Sequence, residues 1–496
     1  MLVILFLSFA AQAATAGAAE RSATHIVQLR PGVSLEQGAA AVEAAGGRVT
    51  GELPLVRGVA ARLSAGSVAA LAGSARVAAV AANARVKSQG AIGDTSRLVA
   101  AYPRSVYAPM AWDVGDATGS GVGVAVIDTG IDGRLADFDA ASGSSRVIAS
   151  AVTNPDATTA RDTYGHGTHV AGIIAGNGNH RTDGSAGKYV GIAPDANLIA
   201  IKASDDAGNA TILDAIYGLQ FAVDHKDDLG IRVVNLSLSS TAAESYRTDP
   251  LDAAVEAAYF SGLVVVAAAG NRGSEAGAAW YAPGNDPFAI SVGAVDDRGT
   301  GDRSNDVPAE WSTVGDTQDG FAKPDVAAPG AHIVSTLARG SKFEEMCPSC
   351  VRDGDYIRLG GTSMSAAVVS GVVALMLQRH PGWTPAQVKS TLLATARDIP
   401  GLVDEVNALA AVITRTPAAV PPTQIDRNHL VDPYTGAIDY TRSSWGRSSW
   451  GAAPEALVAG WARSSWGCDC GGRSETPAEG TRSSWGTLGW ASRWSY

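Results

Sequence analysis

An apolar stretch near residue 370 restricts the fold of this 496-residue chain more than any other feature. Residues 360–365 read Gly-Gly-Thr-Ser-Met-Ser, and residues 366–377 are Ala, Val, Leu and Met apart from one Ser-Gly pair. Two glycines before hydroxyl residues predict a tight turn into a helix whose free amides are capped by Thr or Ser. A helix that is apolar on nearly every side is expected to be buried. Ser363 would then be either a structural residue or a nucleophile at a buried helix N-terminus.

Strand-like and helix-like segments alternate upstream of this helix. Buried strands are predicted at residues 121–128, 196–202, 233–238 and 263–269, and helices at 211–225 and 249–261. This alternation predicts an α/β fold of three αβα layers around a mainly parallel sheet. Functional side chains in such sheets lie beyond the carboxyl ends of the strands, which is where Asp128 and Asn271 fall.

Three residues in distinctive contexts are candidates for catalysis. Asp128 ends a buried strand before Thr-Gly, His166 lies between two glycines at the start of an apolar helix, and Ser363 begins the helix described above. Each could be purely structural when taken alone. Their order, Asp then His then Ser, is one of the known chain orders of the catalytic triad. Together they predict a nucleophile, Ser363, a general base, His166, and an orienting carboxylate, Asp128.

Four sequence blocks resemble those of the subtilisin-like serine proteases, the subtilases of peptidase family S8. They are Val-Ile-Asp-Thr-Gly at 126–130, Gly-His-Gly-Thr-His-Val-Ala-Gly at 165–172, Ala-Ala-Ala-Gly-Asn at 267–271 and Gly-Thr-Ser-Met at 361–364. The resemblance covers roughly residues 105–415. It implies a subtilisin-like catalytic domain, a serine endopeptidase that cleaves protein or peptide substrates, and a role for Asn271 as donor to the oxyanion.

The same resemblance implies which residues bind substrate. A strand that accepts an extended peptide, together with the loop after the next strand, would comprise Leu236, Ser237, Leu238, Ser239, Gly270 and Arg272. The family usually has glycines where Ser239 and Ser240 stand, so the adjoining pocket is expected to be narrower. Arg272 is either a solvated loop residue or, near the base of the S1 pocket, a residue that favours acidic P1 side chains.

The first 19 residues predict a cleaved secretory signal. An apolar run at 2–7 is followed by Ala-Gln-Ala at 11–13, which is a small-residue cleavage site after a segment too short to span a membrane. No Lys or Arg precedes the run, so an N-terminal anchor is the alternative. The expected location is therefore extracellular, with attachment at the cell surface as the alternative.

Residues 22–95 have a pattern of their own. Their strand and helix signals follow the order β-α-β-β-α-β, which is typical of a ferredoxin-like α+β module. This resembles the inhibitory propeptide of subtilases, which assists folding and blocks the active site until it is removed. Residues 22–90 carry a net charge of +4 and residues 91–415 one of −15, so electrostatic docking is expected. The total charge of −11 argues against nucleic acid and anionic membranes as partners.

Four cysteines form two close pairs, Cys347 with Cys350 and Cys468 with Cys470. In a secreted chain an even number predicts disulfides, either within each pair or between the pairs, and zinc binding is a weaker alternative. No cofactor is expected for the chemistry. The family often binds structural calcium, but the sequence identifies no ligands for it.

The C-terminal region, residues 416–496, begins with a Pro-rich linker. Four copies of Arg-Ser-Ser-Trp-Gly follow, at 442–446, 447–451, 463–467 and 482–486, and seven of the eleven tryptophans lie after residue 440. The indoles could pack on the catalytic domain, bind glycans or a cell wall, or belong to an extension that is cleaved. The sequence thus predicts a secreted, self-processed endopeptidase. The alternative is an adhesion protein whose protease core serves mainly its own maturation.

Overall fold

The computed structural model describes residues 22–54, 57–82, 95–178, 181–399, 403–421, 425–429 and 431. The chain divides into two compact units, residues 1–88 and 89–496. The predicted signal segment, the Trp-containing repeats and the pair Cys468 and Cys470 lie outside the described residues.

The N-terminal unit is a four-stranded antiparallel sheet with two helices. Its elements are β1 (Ala23–Leu29), α1 (Leu35–Ala44), β2 (Arg48–Leu53), β3 (Gly58–Leu63), α2 (Ala65–Ala72) and β4 (Val77–Ala82). The strand order is β2-β3-β1-β4, which is the ferredoxin-like arrangement that the sequence pattern predicts. Ser34 and Ser64 cap the two helices, and a small core of aliphatic side chains lies between the helices and the sheet.

The second unit contains the remaining elements. Its strands are β5 (Gly123–Asp128), β6 (Val147–Val152), β7 (Asn197–Lys202), β8 (Ile231–Leu236), β9 (Val264–Ala268), β10 (Ile290–Asp296), β11 (Val307–Pro308), β12 (Gly315–Asp316), β13 (Ala322–Lys323), β14 (Val326–Pro329), β15 (Ile333–Thr336), β16 (Val351–Arg352) and β17 (Tyr356–Leu359). Its helices are α3 (Tyr102–Ser105), α4 (Ala108–Asp113), α5 (His166–Ala175), α6 (Ile212–Asp224), α7 (Pro250–Phe260), α8 (Lys342–Met346), α9 (Thr362–Arg379), α10 (Pro385–Ala394) and α11 (Ala408–Ile413).

Eight of these strands form the main sheet, in the order β11-β10-β9-β8-β5-β7-β6, with β14 also paired to β10. Every pair is parallel except β10 with β11. Side chains along β5 alternate between two cores: Val124 and Val126 face the core that contains α5 and α9, and Ala125 and Ile127 face the core that contains α6 and α7. The predicted three-layer αβα architecture is therefore confirmed.

Helix α9 is the central element of one layer. It is long and apolar enough by length and composition to cross a membrane, but 89% of its most apolar 18-residue window is buried within the fold. Its side chains pack against the strands of the main sheet and against α5. It is therefore the core helix that the sequence predicts.

A disulfide joins Cys347 to Cys350 in the turn after α8. Both cysteines are buried next to the core that contains α5 and α9. The bond is local, so neither residue is cross-linked to the C-terminal region.

Four acidic side chains are buried around α7. Asp249 caps the helix, Asp252 and Glu256 lie within it, and Asp286 lies nearby; each is at most 1% exposed. Burial raises the pKa of all four carboxyl groups, and repulsion from neighbouring carboxylates adds to the rise for Asp249, Asp252 and Glu256. Neither carboxylate oxygen of Asp252 has a hydrogen-bond partner among the described residues.

This burial predicts a pH-dependent stability. A carboxyl group whose pKa is raised by folding stabilises the fold fully below its ordinary pKa and loses that contribution as the pH rises through the folded value. Stability should therefore be greater at pH 5 than at pH 8.5. Asp252→Asn should raise stability at pH 8.5 by about 1–3 kcal/mol more than at pH 5. Guanidinium unfolding in a Ser363→Ala background measures this, and an equal change at both pH values would contradict it.

Candidate active site

Neighbouring parallel strands end together at one edge of the main sheet. Ile127 of β5 pairs with Leu236 of β8, so Asp128 and Ser237 occupy adjacent positions at this edge. Leu236 pairs in turn with β9, which leads on to Asn271. In parallel sheets the carboxyl edge is where ligands bind. The topology therefore brings residues that are distant in sequence to one place.

Asp128 is the last residue of β5, and its side chain is fully buried. Its Oδ1 accepts a hydrogen bond from the backbone N–H of Thr129 at 2.7 Å. A buried carboxylate is costly unless donors surround it, so this single bond is not enough. The start of α5 supplies the second donor.

His166 is the first residue of α5 and follows Gly165, whose φ of 105° lies in the left-handed region. Its Nδ1 lies 2.8 Å from Oδ1 and 3.0 Å from Oδ2 of Asp128, and both side chains are fully buried. A carboxylate can only accept, so Nδ1 carries the proton. The lone pair of the neutral imidazole is then on Nε2, as a general base requires.

The approach of α5 to the end of β5 depends on Gly167. A Cβ atom there would lie 2.2 Å from the carbonyl oxygen of Gly130 and 3.0 Å from Oδ1 of Asp128. The backbone N–H of Gly167 also donates to Oγ1 of Thr129 at 2.9 Å. No side chain fits at this position without moving the helix away from Asp128.

Asp162 fixes the same region and was not singled out by the sequence. It is buried, and its Oδ1 accepts from Oγ1 of Thr129 at 2.9 Å and from the N–H of Gly165 at 2.6 Å. Its Oδ2 accepts from the N–H of Thr168 at 2.8 Å. Burial raises the pKa of this carboxyl group. An acidic residue just before a helix is the ordinary signal of an N-terminal cap, and this signal could have identified it.

The segment that carries the disulfide packs against the histidine. Phe343 of α8 is 1% exposed, and its ring meets the imidazole of His166 edge to face at 6.0 Å between ring centres. It also contacts the ring of Tyr164 at 4.9 Å and donates its N–H to the carbonyl of Tyr164 at 3.0 Å. An apolar aromatic ring therefore packs against the imidazole of His166.

The second histidine of this motif is structural. His169 is fully buried, and its Nε2 lies 3.1 Å from the carbonyl oxygen of Ile357. Burial, with a smaller contribution from His166, lowers its pKa to about 3. His169 is therefore neutral and fixed, which agrees with the choice of His166 as the candidate base.

Ser363 is the second residue of α9 and is 3% exposed. Its Oγ donates to the carbonyl oxygen of Ser237 at 3.2 Å, and Oγ of Ser237 donates to the carbonyl oxygen of Ser363 at 2.9 Å. These reciprocal bonds tie the start of α9 to the end of β8. Ser363 consequently lies at the edge that also carries Asp128.

A buried polar chain supports this junction. Ser370 donates to Oδ1 of Asn235 at 2.9 Å, and Nδ2 of Asn235 donates to Oγ of Ser237 at 2.8 Å. Oγ of Ser237 donates in turn to the backbone carbonyl of Ser363. All the side chains involved are buried and satisfied, which rigidifies the junction.

Asn271 takes the capping role that the sequence assigned to Thr or Ser. The N-cap residue of α9 is Gly361, and no side chain of the helix caps it. Instead, Oδ1 of Asn271 accepts from the N–H and the Oγ1 of Thr362, both at 3.0 Å. The predicted Thr or Ser cap is therefore wrong, because a residue from another strand end supplies the acceptor. The N–H of Thr362 needs an acceptor, so it is the amide oxygen of Asn271 that faces it. The amide NH₂ of Asn271 can then donate to another group.

The side chains of the candidate substrate-binding residues are largely buried. The side chains of Leu236 and Leu238 are buried in the core that contains α6 and α7. Strand β8 ends at Leu236, so Ser237, Leu238 and Ser239 lie beyond the strand, and Ser239 is 9% exposed. Gly270 is buried as well, so the side chains of Leu236 and Leu238 serve the core and are not recognition groups.

Arg272 is not simply solvated. Its guanidinium lies 3.9 Å from the ring centre of Tyr281, which is a cation–π contact. The segment around Tyr281 lies alongside the segment after β8, because the N–H of Ser240 donates to the carbonyl of Ala282 at 2.7 Å. Arg272 and Tyr281 therefore lie next to the segment that contains Ser239.

Within the described ranges, no group of three or more His, Cys, Asp or Glu side chains could hold a metal ion. Structural calcium therefore stays a prediction without assigned ligands.

A family model described as the subtilase family, Peptidase S8, matches residues 119–422. The chain belongs to the subtilase family. Serine protease AprX of Bacillus subtilis (strain 168) is 36% identical over 280 residues, which are 55% of this chain and 61% of AprX. Subtilisin of Bacillus pumilus is 37% identical over 280 residues, which are 56% of this chain and 85% of that protein.

A solved structure, described as that of a cold adapted subtilisin-like serine proteinase, is 28% identical, with a TM-score of 0.44 over 59% of this chain and 89% of that chain. Of the length of AprX, the match to this chain covers about three fifths.

Asp162 should behave as a positioning residue in this site. Asp162→Ala leaves buried donors of Thr129, Gly165 and Thr168 unsatisfied, which should cost about 2–4 kcal/mol of stability. Well below the unfolding temperature, kcat for peptide hydrolysis should fall at least about tenfold while KM changes little. Asp162→Asn, which keeps one acceptor, should recover part of kcat.

The matched control for Asp162 is Asp302→Ala, since Asp302 is exposed and accepts from the N–H of Ser304 at 3.0 Å. Steady-state kinetics and thermal unfolding of the variants test this assignment. An unchanged kcat in Asp162→Ala would show that the start of α5 does not need this carboxylate.

Proposed function

We propose that this subtilase is a serine endopeptidase whose catalytic residues are Asp128, His166 and Ser363. The observation that carries the proposal is the buried pair of His166 and Asp128, with Nδ1 within 3.0 Å of both carboxylate oxygens. It lies at the sheet edge that also carries Ser363. Membership of the subtilase family supports the same activity.

Each step of the reaction has a candidate group. Oγ of Ser363 attacks the carbonyl carbon of the scissile peptide bond, and its proton moves to Nε2 of His166. The carboxylate of Asp128 stabilises the imidazolium that forms. The imidazolium then gives the proton to the leaving amine, and a water molecule activated by the same base releases the acyl group from Ser363. These steps use groups of the protein and water alone.

The tetrahedral intermediate needs donors for its oxyanion. Asn271 is suited to this task, because Thr362 donates to its Oδ1 and its amide NH₂ is left to donate to the oxyanion. The backbone N–H of Ser363, at the N-terminus of α9, is the second candidate donor. A donor held in place before the reaction costs no reorganisation when the charge develops.

A protein or peptide substrate would bind in extended form along the main chain that follows β8. The buried side chains of Leu236 and Leu238 hold this segment in place, and its backbone groups would pair with the substrate. Such pairing recognises any extended chain, so the side-chain preference must come from the adjoining pocket.

We further propose that the protein is secreted as a zymogen, with the N-terminal unit as its intramolecular inhibitor. The ferredoxin-like topology of that unit and its net positive charge, opposite to that of residues 91–415, support this. The apolar segment at residues 2–7 supports secretion. The Trp-containing repeats would then be presented outside the cell, where glycans or a cell wall are candidate ligands.

Replacement of the nucleophile tests the function. The full-length wild type should cut itself between residues 85 and 105 and digest casein. Ser363→Ala should do neither, with a loss of at least about 10⁴-fold in rate, because the attacking oxygen is gone. Intact mass spectrometry of both proteins, before and after incubation with casein, measures processing and activity together.

Self-processing and casein digestion, measured separately, distinguish an endopeptidase from an adhesion protein. Processing without casein cleavage by residues 91–415 would favour an adhesion protein that uses its protease only for maturation. Normal processing of the Ser363→Ala protein would sink the assignment of the nucleophile.

Arg272 generates a prediction about specificity. If its charge faces the P1 side chain, wild type should prefer Glu over Leu at P1, and Arg272→Gln should lower kcat/KM for the Glu substrate about tenfold with little change for Leu. Tyr281→Phe keeps an aromatic ring beneath the guanidinium and is the matched control. A peptide-library profile without enrichment of Glu or Asp would dismiss this role.

A further inference from the structure

A short segment beyond the family domain is seated on α7. We call residues 425–431, of which the structure describes 425–429 and 431, the docked segment. It follows the Pro-rich stretch and precedes the Trp-containing repeats in sequence. The family match ends at residue 422, so the docked segment is an addition to the domain that the match covers.

Asn428 is the centre of the contact and is 1% exposed. Its side-chain NH₂ donates to the carbonyl oxygens of Tyr246 and Asp249, the latter at 2.8 Å. Its backbone N–H lies 2.8 and 3.0 Å from the two carboxylate oxygens of Glu256, which is itself 0% exposed. The side chain and the backbone N–H of Asn428 thus both donate to buried acceptors, as is typical of a specific binding site.

Apolar and aromatic contacts flank Asn428. Val431 is 3% exposed and packs on Ala253 of α7, next to Phe260. The guanidinium of Arg427 lies 3.9 Å from the ring centre of the same Phe260. A cation–π contact and a buried aliphatic side chain add affinity to the polar centre.

Main-chain hydrogen bonds continue along the segment. The N–H of His429 donates to the carbonyl of Arg247 at 2.9 Å, and the hydroxyl of Tyr246 donates to the carbonyl of Asp426 at 2.8 Å. Contacts are therefore made at residues 426–429 and at Val431, and not at a single point.

We propose that the docked segment is a noncovalent anchor, which holds the Trp-containing repeats on the catalytic unit even when the chain between residues 414 and 424 is cut. The binding surface consists of the turn before α7 and one face of α7, and the partner that it fits is the C-terminal segment of this same chain. The anchor uses none of the catalytic groups, so this inference stands or falls independently of the proposed activity.

A designed cut in the linker tests the anchor. A recognition sequence for a site-specific protease is inserted between Pro422 and Thr423 of the full-length Ser363→Ala protein, so that the chain cannot digest itself. After the cut, the fragment that contains the docked segment and the repeats should co-elute with the remainder on size exclusion at low micromolar concentration. Separate elution of the two pieces would overturn the proposal.

Variants of the segment show whether its contacts are responsible. Asn428→Ala removes the donors of the side chain and leaves the carbonyls of Tyr246 and Asp249 without them, so retention should weaken at least about tenfold. His429→Ala is the matched control, because the His429 side chain is exposed and its hydrogen bond to the described part of the chain comes from its backbone N–H, which the substitution keeps. Equal retention of the Asn428→Ala fragment would show that the tail is held elsewhere and would also overturn the proposal.

A competition experiment avoids any change in the folded chain. A synthetic peptide of residues 425–431, added in excess to the cut protein, should displace the fragment, whereas the same peptide with Asn428→Ala should displace it at least about tenfold less effectively. Failure of the wild-type peptide to displace the fragment counts against the anchor.

Discussion

The buried contact between Asp128 and His166 sets the requirements that the rest of the catalytic unit meets. A carboxylate with no solvent exposure is stable only if donors approach it closely, and His166 can do so only when the first turn of α5 touches the end of β5. That approach requires a glycine at position 167 and an acceptor for the freed amides of the turn, which Asp162 provides. The orientation of the imidazole is thus a consequence of backbone packing.

The parallel sheet also positions Ser363, the proposed nucleophile. Because β5 and β8 are adjacent and in register, Asp128 at the end of β5 and Ser237 just after β8 reach the same edge, and Ser237 meets the start of α9 there. Oδ1 of Asn271, from the end of β9, fixes the first amide of α9. The start of α9, which carries Ser363, is therefore held by hydrogen bonds from two strand ends, and the helix has no side-chain cap of its own.

Sequence reasoning reached what depends on local patterns. The alternation of apolar segments predicted the three layers, and short motifs predicted Asp128, His166 and Ser363. It failed where partners are far apart in the chain: the acceptor that caps α9 comes from Asn271, 91 residues before Thr362. Asp162 was missed because its four-residue distance from the histidine acquires meaning only when the helix start is known to touch the sheet.

The contacts of the docked segment were also beyond prediction from the sequence. The composition of residues 416–422 predicts a linker, yet the N–H of Ala418 donates to Oγ1 of Thr391 in α10 at 2.9 Å. Further along the chain, Asn428 is buried. Composition indicates how much apolar area a segment can bury, but it does not show which acceptors of the folded domain still need a donor. Here α7 carries buried carboxyl groups with few donors of their own. The N–H of Asn428 supplies one to Glu256, so the need of the helix for donors explains why a polar segment binds to it.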